Sequence, residues 1–325
     1  MSAPESRRAV AIGGGTGLPK VLGCLLEQGL ATTAVVTMAD DGGSSGTLRR
    51  DLGVLPPGDV RNCLVALAEP GNELAELFQY RFADGEGLAG HALGNLVLAA
   101  LAETTGSFAD AIAAAGRLLG VRGTVLPSTL ADVHLRGVDA DGTPLSGQAR
   151  IAVSDRPVAR VHLDPPDPEP YAPVLDAIRG ADAVVIGPGS LFTSIVPNFL
   201  VTGVAEALRD SSAMRVYVCN VANQRGETHS MDAADHVDAL LAHGLEGAID
   251  VAIVHVAGAT PERPGRCVRY DGADTALEPV VAGPDVIARI EARGVRVVTA
   301  DVVDPLDARH HSGHKLCRVV GEVIG

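Results

Sequence analysis

The sequence predicts an α/β protein: a doubly wound, Rossmann-like fold whose mostly parallel sheet carries helices on both faces and a small antiparallel insertion. Three observations predict it. Short Val/Ile-rich runs recur along the 325 residues as continuous apolar stretches, the pattern of strands buried on both faces. Helix-like apolar segments alternate with them. Four polar loops, at residues 13–17, 40–46, 187–194 and 220–228, each follow such a run, and open parallel sheets gather ligands at the carboxyl ends of their strands.

The first unit is the most informative. Ala9-Val10-Ala11-Ile12 runs into Gly13, Gly14, Gly15, Thr16 and Gly17, followed by Leu18-Pro19-Lys20 and an apolar helix. Glycines let the backbone turn where a Cβ would clash and bring bare N–H groups against a ligand. Pro19 suits the first turn of a helix, whose unpaired N–H groups and positive dipole end welcome an anion. A phosphate-bearing ligand is therefore expected near Gly15. No G-x-x-x-x-G-K-[ST] run exists, and Leu18 stands where the dinucleotide fingerprint needs its third glycine. A glycine-rich βα turn without a ligand is the competing reading.

Composition narrows the function classes. There is no Trp and little Phe or Tyr, which suits aliphatic packing and not a base-stacking platform. A formal net charge of −14 argues against nucleic acid and against an anionic membrane surface as partners. The five cysteines are scattered without a C-x-x-C pair, so reduced, partly buried thiols are expected. No apolar run reaches the roughly 20 residues that span a bilayer, and the N-terminal residues lack a signal core. A cytoplasmic protein is expected.

Along the chain, residues 1–8 are read as a flexible terminus and 9–325 as a single domain. A second strand is expected over residues 32–38, helices over 62–83 and 91–119, and antiparallel strands over about 121–163. The proline-rich stretch 164–170 is a connection. Further strands are expected at 183–186, 215–219, 249–255 and 295–299.

Candidate ligand-contacting residues cluster in these loops. Asp40 and Asp41 end the second strand beside Gly42, Gly43 and Ser44. Adjacent acids on an extended backbone point opposite ways, so one is expected to face the cleft, binding a ribose hydroxyl or Mg²⁺. Asp59 is suited to cap a helix beginning near Arg61, while Arg61 and Asn62 suit an anionic or amide-bearing ligand; the two readings stand level. Gly187, Gly189, Ser190, Thr193 and Ser194 repeat the design of the first loop. Asn198, Asn220, Asn223 and Gln224 add neutral donors and acceptors suited to sugar hydroxyls or a uracil edge. The run Arg309-His310-His311-Ser312-Gly313-His314-Lys315 is the basic cluster of an acidic chain, with Arg309 as a phosphate fork and Ser312 as either a helix cap or a phosphorylation site.

The motifs G-G-G-T-G-L-P, A-D-D-G-G-S-S-G, L-P-P-G-D-V-R-N-C-L, H-A-L-G-N-L, G-P-G-S-L-F-T-S and A-R-H-H-S together resemble the YvcK, or gluconeogenesis-factor, family of bacterial UDP-N-acetylglucosamine-binding proteins. The resemblance covers nearly the whole chain after Arg8. The wider superfamily contains CofD, the 2-phospho-L-lactate transferase of coenzyme F420 synthesis, but D-D-G-G-S-S-G and P-P-G-D-V-R-N are similar to the YvcK branch. The resemblance implies a CofD-like domain, UDP-sugar binding, a role in cell shape and envelope-precursor supply, and a homodimer. It adds Asn95 of the H-A-L-G-N-L motif, Tyr270 and Arg309 to the expected site. His311 stands where the family's terminal motif has an acid.

Two functions follow as expectations. One is a non-catalytic sensor with no catalytic residue and no required cofactor, which binds UDP-N-acetylglucosamine, or a dinucleotide, and engages an unidentified protein partner. The alternative is a Mg²⁺-dependent CofD-like transferase of a phosphate-linked group, with the metal on Asp40 or, preferentially, Asp41.

Overall fold

A computed structural model describes residues 6–224, 226–256, 266–268 and 274–325. The chain opens with β1 (Arg8–Gly13), α1 (Leu18–Glu27) and β2 (Ala31–Val36), then five helices before the next strand, the first four being α2 (Gly43–Leu52), α3 (Gly58–Leu67), α4 (Glu73–Gln79) and α5 (Leu93–Thr105). After α6 (Phe108–Leu119) and β3 (Thr124–Pro127) come β4 (His134–Asp139), β5 (Pro144–Ser146), α7 (Gln148–Ile151) and β6 (Val158–Asp164). The second half runs through α8 (Ala172–Arg179), β7 (Ala183–Ile186), a π-helical turn (Leu191–Ile195), α9 (Val196–Phe199), α10 (Val204–Asp210), β8 (Met214–Val218), α11 (Ala233–Leu240) and β9 (Val251–His255). The short strands β10 (Arg266–Val268) and β11 (Asp274–Ala276) precede α12 (Pro284–Glu291), β12 (Arg296–Ala300) and α13 (Gly313–Ile324).

One seven-stranded sheet joins both halves in the order β12-β9-β8-β7-β1-β2-β3, and every pair in it is parallel. Its central strands are buried on both faces, as the continuous apolar runs require: Ala9 to Ile12 and Ala183 to Ile186 are all within the core. From β1 the chain winds outward to β2 and β3, and later from β7 outward to β8, β9 and β12. The reversal falls between β1 and β7, paired from Ala9↔Ala183 to Ile12↔Ile186. This topological switch point is where an open sheet leaves a crevice.

Several expectations are corrected. The helix expected over 62–83 is two, parted where Pro70 and Gly71 (φ 77°) break the chain. That over 91–119 is also two, since Gly106 adopts the left-handed conformation and Ser107 caps α6 through Asp110 N. The antiparallel sheet comprises β5-β4-β6 alone, because β3 joins the main sheet parallel to β2. Arg8 and Arg7 do not belong to a flexible terminus: Arg8 lies in β1, and Arg7 donates to Ile324 O at 2.6 Å.

The cysteines are not all reduced. Cys24 of α1 and Cys317 of α13 form a disulfide across a sequence separation of 293, with Cα atoms 4.7 Å apart. Helix packing creates this proximity, so spacing along the chain could not show it. Cys63 and Cys219 are free and buried. Among the described residues no single helix is long and apolar enough to cross a membrane.

Candidate ligand-binding site

The first and third polar loops meet at the switch point. Gly187 N donates to Ile12 O at 2.8 Å, and Thr37 N to Gly13 O at 3.1 Å, which ties the ends of β7, β1 and β2 together. Close approach explains two of the glycines. A Cβ on Gly17 would collide with the Pro188 carbonyl, and one on Gly14 would lie 2.5 Å from Asp59 Oδ2. Gly15 has φ +66°, a conformation that disfavours any side chain. Thr16 is exposed at the tip of the loop. Lys20, one turn into α1, donates to His311 O at 2.7 Å.

Beside this loop stand two acids, though not the adjacent pair. Asp41 accepts amides from Gln148 (3.0 Å) and Ala149 (2.8 Å), one on each oxygen, so it caps α7 and anchors the antiparallel insertion. Asp40 accepts Gly42 N at 3.0 Å and turns the other way, as the extended backbone demands. Its neighbour in space is Asp59, in the first turn of α3. Burial pushes the Asp59 carboxyl up to about 7, repulsion from Asp40 adds to this, and the Gly15 N–H and Arg61 pull it back. Burial raises Asp40 as well. Ser45 bonds the Asp40 carboxyl and accepts Gly58 N at 3.1 Å. Asp59 is thus more than a helix cap: its carboxyl faces the glycine loop.

The second cluster forms a polar chain. Arg61, buried, donates to Asn95 Oδ1 (2.8 Å) and Asn62 Oδ1 (2.7 Å). Asn95 Nδ2 donates to Ser44 Oγ at 3.0 Å, and that hydroxyl lies 3.0 Å from His91 Nδ1. Ser44 thus links the Asn95 amide to the His91 ring at the start of α2. Burial lowers the Arg61 guanidinium to about 10, so it stays charged at neutral pH. The Ser44–His91 contact joins positions 47 residues apart, which spacing in the sequence could not show.

The third loop is less open to ligand than its sequence suggests. Gly189 N donates to Asn220 Oδ1 (3.3 Å) and Asn220 Nδ2 returns to Gly189 O (2.7 Å). Glu227, 1% exposed, takes the amides of Phe192 (3.0 Å) and Thr193 (3.3 Å) on Oε2 and the Thr193 hydroxyl at 2.5 Å on Oε1. A carboxylate of the chain itself therefore sits where the sequence suggests a second phosphate. Burial raises that carboxyl to about 7. Asn198, fully buried, donates to Gly13, Ser194 and Ile195 carbonyls and braces the two loops. Ser194 faces Gly15, 3.4 Å from where a Cβ there would stand, while Ser190 is half-buried. Gln224 is exposed, and its N–H donates to Thr228 Oγ1.

Comparison with known proteins decides the family. Residues 9–303 match the family described as 2-phospho-L-lactate transferase CofD. A gluconeogenesis factor of Halalkalibacterium halodurans is 42% identical over 319 residues, covering 98% of this chain and 97% of its own. One from Bacillus subtilis (strain 168) is 41% identical over 321 residues, covering 98% and 99%. The chain belongs to the gluconeogenesis-factor family. A crystal structure of a UPF0052-family protein from Bacillus halodurans is similar throughout, with a TM-score of 0.88 and 40% identity over 98% of this chain and 99% of that one.

In this gluconeogenesis-factor chain the terminal motif packs against the carboxyl ends of β8 and β9. His311 is buried and donates from Nε2 to Cys219 O at 3.0 Å; burial drops its pKa to about 4, so it is neutral at pH 7. It fills its position as a packing and hydrogen-bonding group. His311 precedes α13, whereas exposed His314 lies on it. Arg309 pairs with Asp307, its Nε at 2.7 Å from Oδ1 and its second donor on Oδ2, and this holds the Asp307 carboxyl down at about 2. Tyr270 lies outside the described residues. Among the described residues no group of three or more His, Cys, Asp or Glu is placed to hold a metal. Sequence reasoning missed Ser45, His91 and Glu227. His91 lay within the quoted H-A-L-G-N-L motif, but a lone Glu in a polar loop carries no signal of its own.

Proposed function

We propose that this chain is a UDP-sugar-binding regulatory protein, with UDP-N-acetylglucosamine as ligand, that acts through a protein partner in the control of cell shape and envelope-precursor supply. The observation that carries the reading is the gathering of polar groups at the β1–β7 switch point. There the glycine loop, the Asp40/Asp59 acids and the Ser44–Asn95–Arg61 chain converge, while the third loop is closed on itself by Asn220 and Glu227. An anionic diphosphate suits the start of α1, and hydroxyls suit the acids and amides around it. The resemblance of the motifs adds a cytoplasmic location and a homodimer to the proposal. Calorimetric titration with UDP-N-acetylglucosamine, GDP and NAD, with and without Mg²⁺, tests it. Micromolar or tighter binding of the UDP-sugar with no turnover supports the sensor; no binding of that ligand removes it.

A second reading is favoured by one observation, the Asp40/Asp59 pair beside the glycine loop. Mg²⁺ takes one or two carboxylates and completes its shell with phosphate oxygens and water. These two acids fit it better than Asp41, whose oxygens hold α7. When bound, the ion would neutralise charge on a transferring phosphate-linked group. Mg²⁺-dependent transfer by the purified chain would establish a CofD-like transferase in place of the sensor.

A further inference from the structure

The Cys24–Cys317 bond joins the helix that begins at the glycine loop to the helix that ends the chain. α13 turns Leu316, Val319, Val320 and Ile324 inward and packs chiefly on α1, not on the sheet. Three hydrogen bonds flank the contact. Gln28 Nε2 donates to Cys317 O (3.2 Å), Arg7 to Ile324 O (2.6 Å) and Lys20 Nζ to His311 O (2.7 Å). The last ties α1 to the basic segment that leads into α13. The two sulfurs differ in access, since Cys24 is fully buried and Cys317 is partly exposed.

We propose that Cys24 and Cys317 form a reversible thiol–disulfide latch, which fixes the C-terminal helix and the Arg309-bearing segment onto the glycine-loop helix. The co-reactant is a low-molecular-weight disulfide. The partly exposed Cys317 thiolate attacks one of its sulfurs, releasing one thiolate and leaving a mixed disulfide. The Cys24 thiolate then attacks the Cys317 sulfur and releases the second. Two protein thiols are oxidised, one small disulfide is reduced to two thiols, and the two cysteine protons go to solvent or to the released thiolates. The apolar face and the three hydrogen bonds remain in the reduced form, so reduction loosens α13 without detaching it. Because the core sheet is not crossed by the bond, the fold survives in both states. The inference does not depend on the identity of the ligand.

The full chain, incubated with glutathione disulfide or with dithiothreitol, is followed by amide hydrogen exchange, and a second portion is unfolded in denaturant, alkylated with iodoacetamide and peptide-mapped. The oxidised chain is expected to show a Cys24–Cys317 cross-linked peptide and three alkylated cysteines of the five in the sequence. Exchange across residues 313–325 should be about tenfold slower than in the reduced chain. Closing so long a loop should raise the thermal midpoint by up to about 8 °C. Both differences should vanish in Cys317→Ser, and in Cys24→Ala as a second variant that avoids a buried hydroxyl. Five alkylated cysteines after oxidation would overturn the latch. So would a cross-linked chain whose C-terminal helix exchanges at the reduced rate, or a redox response that persists in Cys317→Ser.

Discussion

Replacing Glu227 with Gln should make the protein more stable at alkaline pH and less stable at acid pH. The carboxyl is 1% exposed, and burial raises its pKa from 4.5 to about 7 against the pull of three hydrogen bonds. The folded chain keeps this proton up to about pH 7, whereas the unfolded chain gives it up near 4.5. Stability associated with the group is therefore complete below 4.5 and is lost as pH rises to 7, at up to about 1.4 kcal/mol per pH unit. The whole interval amounts to about 3 kcal/mol. Gln keeps one carbonyl oxygen for the Phe192 and Thr193 amides and presents an NH₂ to the Thr193 hydroxyl, whose proton loses its acceptor. That exchange costs about 1 kcal/mol. The variant should then exceed the wild type by about 2 kcal/mol at pH 8, with the order reversed near pH 5. Urea unfolding of both proteins at half-unit steps from pH 5 to 8 reads this directly. Parallel stability profiles would show that Glu227 does not titrate in this range, and the account of the third loop as a buried, protonatable clamp would fall.

Four substitutions probe the site. Asp41→Ala should destabilise the chain by about 1 kcal/mol through loss of the α7 cap, without changing the Mg²⁺ response of ligand binding; Asp40→Asn should abolish any such response, and calorimetry with and without the ion separates the two. Gly14→Ala places a Cβ 2.5 Å from Asp59 Oδ2 and should lower affinity for UDP-N-acetylglucosamine at least about tenfold with the circular dichroism spectrum intact. It is a cleaner probe than Gly15→Val, which adds backbone strain at φ +66°. On the proposed UDP-sugar reading Arg309 adds to its pairing with Asp307 a charge-assisted contact to the diphosphate worth about 1.5–3 kcal/mol, so Arg309→Ala should weaken the same binding roughly ten- to a hundredfold; equal affinity in the variant would remove Arg309 as an anchor.

What the sequence showed and what it hid divide by distance along the chain. Strands were legible because burial on both faces of a parallel sheet writes itself as an uninterrupted apolar run, as in Ala9 to Ile12 and Ala183 to Ile186. The crevice was legible because glycine and polar residues follow those runs directly. Helix breaks at Pro70-Gly71 and Gly106-Ser107 carried local signals that the apolar periodicity outweighed. The roles that changed are those fixed by a distant partner. Asp41 meets amides 107 and 108 positions away, Glu227 meets Thr193 across 34, Asn198 meets Gly13 across 185, and Cys24 meets Cys317 across 293. In each case the residue type was compatible with ligand contact or with a free thiol, and a backbone or side-chain group of the same chain claimed it instead. The residues that keep their claim on a ligand are accordingly those at the β1–β7 reversal whose distant partners orient them without closing the crevice. Asp59 against Gly15, and Ser44 between Asn95 and His91, meet that condition, which places the chemistry of this protein nearer the first two loops than the third.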